Sequence, residues 1–163
     1  MRNQLQSTTT TDVAPRTARK ADSPPNSAET RPGILRITHE PAEVARARAW
    51  IKARIAAAAR PIDAETADDI LICAGETITN AVVHSRPRVP GDTITVTMTV
   101  HPETVRVEVT DTGDPRGRGP HVRDIAPELE SSGRGLRIVQ ELSAAWGHNG
   151  DGDSRTTWFE VGC

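Results

Sequence analysis

At 163 residues the chain has room for one domain with a sizeable core and not for two. A formal net charge of −2 gives no general reason to expect nucleic acid or an anionic membrane as partner. Two cysteines, Cys73 and Cys163, are too few for a disulfide framework; with no apolar leader in MRNQLQSTTT and no run of membrane-spanning length, the expectation is a soluble protein of a reducing cytoplasm.

Residues 1–33 are rich in Thr, Ser, Pro, Arg and Asn and nearly lack large apolar side chains. Such a segment cannot bury enough surface to offset the entropy of ordering, so it reads as a disordered tail ahead of a domain spanning 34–163. Its five Arg/Lys against three Asp/Glu are too dilute for a binding patch. Ile34 to Thr38 is a short strand candidate. Pro41 then opens a helix through about Ala59, with Glu43 near the positive end of its dipole and Val44, Ala47, Ile51 and Ile55 as its buried stripe. Arg46, Lys52 and Arg60 are expected to stay wet. Pro61 ends that helix, and Asp63 is positioned to cap the next.

The following helix runs to His84. Ile70, Cys73, Thr77, Ile78 and Ala81 recur at spacings of three or four and form its apolar seam. Glu76, Asn80 and His84 stand at steps of four, which puts them along one side of the helix, turning about 40° per step. Taken alone, that row reads as a solvated polar face.

After the turn-rich SRPRVPGD, Thr93 to Val100 alternates strictly, with Ile94, Val96, Met98 and Val100 on one face. Thr104 to Asp111 alternates again, with Val105, Val107 and Val109 inward, so the two form an antiparallel hairpin. Asp111 shares the parity of the three valines, which aims its carboxylate at the buried side unless the strand ends early. A buried carboxylate without partners costs several kcal/mol, so it must meet a donor, either a protein group or a ligand amine.

Asp114 to Ser132 has neither period and holds Pro115, Gly117, Gly119, Pro120 and Pro127, the composition of a lid or a disordered segment. Gly133 and Gly135 then lead into LRIVQELSAAW, where Leu136, Val139, Leu142 and Trp146 form a helical stripe. Glycines before a helix N-terminus bare backbone N–H groups in a positive field, a ready anion site, although Gly often merely starts a helix. HNGDGDS reads as a turn and Thr156 to Val161 as a closing strand. Trp50, Trp146 and Trp158 read as core anchors.

Three stretches now stand in order: ETITN at Glu76–Asn80, DTGD at Asp111–Asp114 and GRGL at Gly133–Leu136. In order and separation they resemble the gyrase, heat-shock-chaperone and histidine-kinase type of ATPase, the Bergerat fold. The NAVVH continuation, the compact lid and the RTTWFEV ending are most similar to the small anti-sigma-factor serine kinases. The resemblance covers about Ile34 to Val161 and implies a two-layer α/β sandwich, a mixed, mostly antiparallel sheet with helices on one face. It implies ATP and Mg²⁺ as cofactors, with Asp111 accepting from the adenine amine and Gly113 letting backbone approach the base. It further implies Asn80 as the Mg²⁺ ligand and Glu76 as the general base. Gly133, Gly135 and the amides starting the helix at Leu136 would hold the β- and γ-phosphates. Thr156 looks like the family's threonine near adenine, though Thr157 is open to the same reading. His84, farther along the row, is expected to be structural.

Kinase members carry a basic residue shortly before the glycine pair. Here Ser131 and Ser132 stand in its place, and Arg134 between the glycines is the substitute, since guanidinium suits phosphate. The functional expectation is an anti-sigma factor with serine/threonine kinase activity toward a STAS-domain antagonist; the alternative is a binding module gated by nucleotide without transfer. The partners implied are a sigma factor, that antagonist and a second copy contacting through Ile34 to Ala59. No GxxxxGK[ST], HRD or DFG occurs, which disfavours Walker-type and protein-kinase folds.

Overall fold

The computed structural model describes residues 31–85, 87, 89–112, 134–150 and 154–163, with Arg134 described by its backbone alone. Eight elements follow one another: β1 (Gly33–Ile37), α1 (Ala42–Ala56), α2 (Ala64–His84), β2 (Ile94–Val100), β3 (Thr104–Asp111), α3 (Arg134–Leu142), β4 (Ala145–Gly150) and β5 (Arg155–Gly162). The five strands form one sheet in the order β1-β2-β3-β5-β4. Every described pairing is antiparallel, so the expected mixed character is absent among the described residues.

Strand alternation makes the core. On β2 and β3 the odd-even rule buries Ile94, Val96, Met98, Val105, Val107 and Val109 completely, and β5 adds Phe159. These side chains meet Ile70, Cys73, Ala74 and Ile78 of α2 and Ala47 and Ile51 of α1 in one cluster. Each Val, Ile, Met or Phe among them contributes about 1.5–3 kcal/mol relative to exposure. The expected seam of α2 is buried at all five positions. Thr77, the polar member, donates its hydroxyl to the Cys73 carbonyl one turn back at 2.8 Å, so burying it leaves no orphan hydroxyl.

Helix boundaries follow local chemistry. Asp63 caps α2 by accepting from the Thr66 N–H at 2.9 Å and the Thr66 hydroxyl at 2.7 Å. Helix α1 stops at Ala56, three residues before the expected Ala59, where the Ala58 N–H bonds the Ile55 carbonyl at 3.2 Å and tightens the last turn. Arg60 is half-buried and meets the Cys163 sulfur, so it does not stay wet.

The third helix departs further from expectation. It ends at Leu142, and Ser143 closes it by donating N–H and hydroxyl to the Val139 carbonyl at 3.0 and 2.6 Å. Ala144 already donates to Glu160 on β5 at 2.8 Å, and Trp146 opposes Phe159 from β4. Trp146 thus packs on the core from a strand that sequence periodicity assigned to the helix. His148–Gly150, expected as a turn, completes that strand, and Gly150 leaves it at φ +124°.

The outer face of the sheet is polar, with threonines of β2 followed by Arg106, Glu108, Thr110, Thr156, Trp158 and Glu160, all half-buried. Trp158 lies here and not in the core: the Arg106 guanidinium stacks 4.2 Å from its ring centroid and bonds Glu160 and Glu108 at 2.9 and 3.0 Å.

Candidate functional site

Helix α2 begins near the terminus of β5. Asp63, at its cap, is close enough to Cys163 to help burial, the larger cause, raise that thiol's pKa. The helix ends at His84 with Ser85 as its C-cap, and the chain then leads to β2, whose Thr95 pairs with Thr110 beside Asp111. The steps Glu76, Asn80, His84 therefore run toward the end of the sheet that holds Asp111.

Glu76 and Asn80 are half-buried, and among the described residues neither side chain is committed to a hydrogen bond or ion pair. Glu76 reaches the first turn of α3. An added Cβ at Gly135 would come within 3.4 Å of the Glu76 Cδ and 3.5 Å of its Cβ, and closer still to Oε2. The absence of a side chain at 135 is what lets the carboxylate sit against that helix start. Among the described residues the helix runs from Arg134, ahead of the expected Leu136, so the amides of Gly135 and Leu136 belong to its N-terminal part. The Leu136 side chain itself is buried. His84 is exposed in the last turn of α2.

Asp111 is the last residue of β3 and is 3 % exposed, as its parity required. Among the described residues a protein group serves as donor: Arg155, opposite it on β5, donates from Nε at 3.3 Å and Nη2 at 3.1 Å to Oδ2. The pair is desolvated, with side-chain exposures of 1 % for Asp111 and 7 % for Arg155. Arg155 escaped the sequence reading because the closing strand was begun at Thr156. The alternation of Thr157, Phe159 and Val161 extends back to it and would have marked an inward cation.

The same alternation settles which face the two threonines take. Thr156 lies on the outer face, sharing a 2.8 Å hydroxyl–hydroxyl bond with Thr110, on the side opposite Asp111. Thr157 is 3 % exposed and shares the inner face with Asp111, whereas Thr156, the threonine expected near adenine, faces away from it. His148 pairs with Thr157 from β4, and burial, followed by the Arg155 charge, holds its pKa below the usual imidazole value.

Gly113, Gly133, Ser131, Ser132 and the Arg134 side chain lie outside the described residues, as does the whole of the expected lid. Among the described residues no group of three or more His, Cys, Asp or Glu could hold a metal ion. No helix of the described residues is long and apolar enough to cross a membrane.

Residues 37–157 match the family model described as histidine kinase-like ATPase domain. No curated protein matches the sequence. Among solved structures, the fold is similar to the RsbU and RsbW domains of Rv1364c from Mycobacterium tuberculosis, with a TM-score of 0.61 and 19 % identity over 81 % of this chain and 32 % of that one. A histidine kinase domain from Erythrobacter litoralis EL346, a blue-light activated histidine kinase, is also matched, with a TM-score of 0.48 and 25 % identity over 74 % of this chain and 63 % of that one. The chain thus spans less than two thirds of the length of either.

Proposed function

The chain belongs to the histidine kinase-like ATPase domain family, and from that premise we propose an ATP-binding anti-sigma factor that phosphorylates a serine or threonine of a STAS-domain antagonist. The observation that carries the reading is the Glu76 carboxylate lying against the start of α3, where free amides and helix dipole suit a phosphate. A carboxylate there would serve as general base, taking the proton from an attacking hydroxyl as that oxygen bonds the γ-phosphorus and ADP departs. Asn80, one turn toward Asp111, would hold Mg²⁺, which supplies charge neutralisation between phosphate oxygens.

Asp111 would accept from the adenine amine with Gly113 beside the base, and Thr157 lies on the same face. Gly133, Arg134 and Gly135 would wrap the terminal phosphates. Self-association through β1 and α1 is supported by the position of β1 at a sheet edge, with Ile34 62 % exposed. The proposed setting is the cytoplasm.

Incubation with Mg-ATP and a STAS-domain antagonist tests this. Phosphoserine or phosphothreonine should form on the antagonist and fall at least a hundredfold in Glu76→Ala. No transfer, or transfer indifferent to that substitution, would sink the kinase reading.

A nucleotide-gated binding module without transfer is the second reading, favoured by Ser131 and Ser132 where kinases carry a base. A ligand shifts partner binding only through differential affinity for two states. Equal partner affinity with and without ATP would therefore eliminate it.

A further inference from the structure

We propose that Arg155 is a positioning residue for base recognition: by gripping one oxygen of Asp111 it sets the plane of the carboxylate and so creates the selectivity for a 6-aminopurine. The inference rests on the reading of Asp111 as the base-binding residue.

Two N–H groups of one rigid guanidinium converge on the same oxygen, Nε at 3.3 Å and Nη2 at 3.1 Å from Oδ2. Held this way, the carboxylate has no free rotation about its terminal bond, which is otherwise soft. Charge supplies the second argument. At 1 % exposure a lone carboxylate would favour a cationic ligand or a proton. Arg155, opposite it in register, sets a positive charge against that carboxylate, so a neutral base can approach an oriented acceptor. Lysine would supply the charge without the planar fork.

The test compares binding of Mg-ATP with that of the Mg-triphosphate of purine riboside, which lacks the 6-amino group, by calorimetry. Wild type should prefer ATP by about tenfold or more, the scale of one hydrogen bond to a charged group. In Arg155→Met the preference should shrink to about threefold or less, and in Arg155→Lys to an intermediate value, with folding checked by circular dichroism. In an Asp111→Asn background, Arg155→Met should change the preference no further.

A merely structural Arg155 would weaken both nucleotides alike and leave the ratio intact, and that result in either Arg155 variant overturns the inference. Should Arg155→Met fail to fold, Arg155→Lys and the double variant still decide. Wild-type binding without preference removes the role of Asp111 and this inference with it, while absence of any binding removes the proposed function.

Discussion

The Glu76 carboxylate occupies space that a side chain on Gly135 would need. Helix α2 and the first turn of α3 touch there through a carboxylate and a bare backbone, and the contact explains why a glycine persists inside a helix it weakens. Gly135→Ala should separate stability from chemistry. The clash falls mainly on Oε2, the far end of a flexible side chain, and Ala gains about 1 kcal/mol of helix propensity over Gly. Thermal denaturation should therefore show the variant within about 1 kcal/mol of wild type. Phosphoryl transfer should fall by about tenfold or more, because a base displaced by an ångström loses its geometry. A variant that melts normally and transfers normally would show that Glu76 does not act from this position.

Asp111 and Arg155 invite a test of stability independent of nucleotide. Removing one member of a buried pair leaves the other charge uncompensated, at a cost of about 3–5 kcal/mol. Urea denaturation should therefore show Arg155→Met strongly destabilised. The double change Asp111→Asn with Arg155→Met should lie closer to wild type than that single variant. Equal losses in the single and double variants would mean that the guanidinium is stabilising through other contacts.

How far the sequence reveals this molecule depends on which residues carry a period. The α2 seam keeps its helical spacing and the β2–β3 hairpin alternates without exception, and both were legible to within a residue. Burial of Asp111 followed from the same parity. Strand β4 was hidden because Leu136, Val139, Leu142 and Trp146 satisfy a helical spacing across a chain reversal, and because Gly147, Asn149 and Gly150 mimic a turn. Trp158 looked like core by composition, yet its parity sets it outward under Arg106. The contact of Glu76 with Gly135 joins two distant segments, and no local pattern encodes it; only the family resemblance brought the two stretches into one site.

Cys73 should be chemically silent in the folded protein. Burial, with a smaller push from Asp69, raises its thiol pKa to about 12, so the thiolate fraction at pH 8 is on the order of one in ten thousand. Iodoacetamide treatment followed by mass spectrometry should find Cys163 alkylated and Cys73 protected, with both modified in denaturant. Cys163 should react more slowly than an unhindered thiol, since burial raises its pKa as well. Rapid native labelling of Cys73 would contradict the packing of α2 against the sheet.

Asp63 ties the stability of α2 to pH. Its carboxyl pKa is held below the model-compound value first by the Thr66 backbone N–H, then by the Thr66 hydroxyl. The folded state thus binds this proton less readily than the unfolded chain does. The contribution of the cap is fully present above the unfolded carboxylate pKa and disappears as pH falls through the lower folded value. Thermal midpoints of wild type and Asp63→Ala should therefore differ at neutral pH and converge in acid. Asp63→Asn, which caps without titrating, should keep its advantage over Asp63→Ala across the whole range. A gap between wild type and Asp63→Ala that holds constant into strong acid would show that the ionised carboxylate is not what caps the helix.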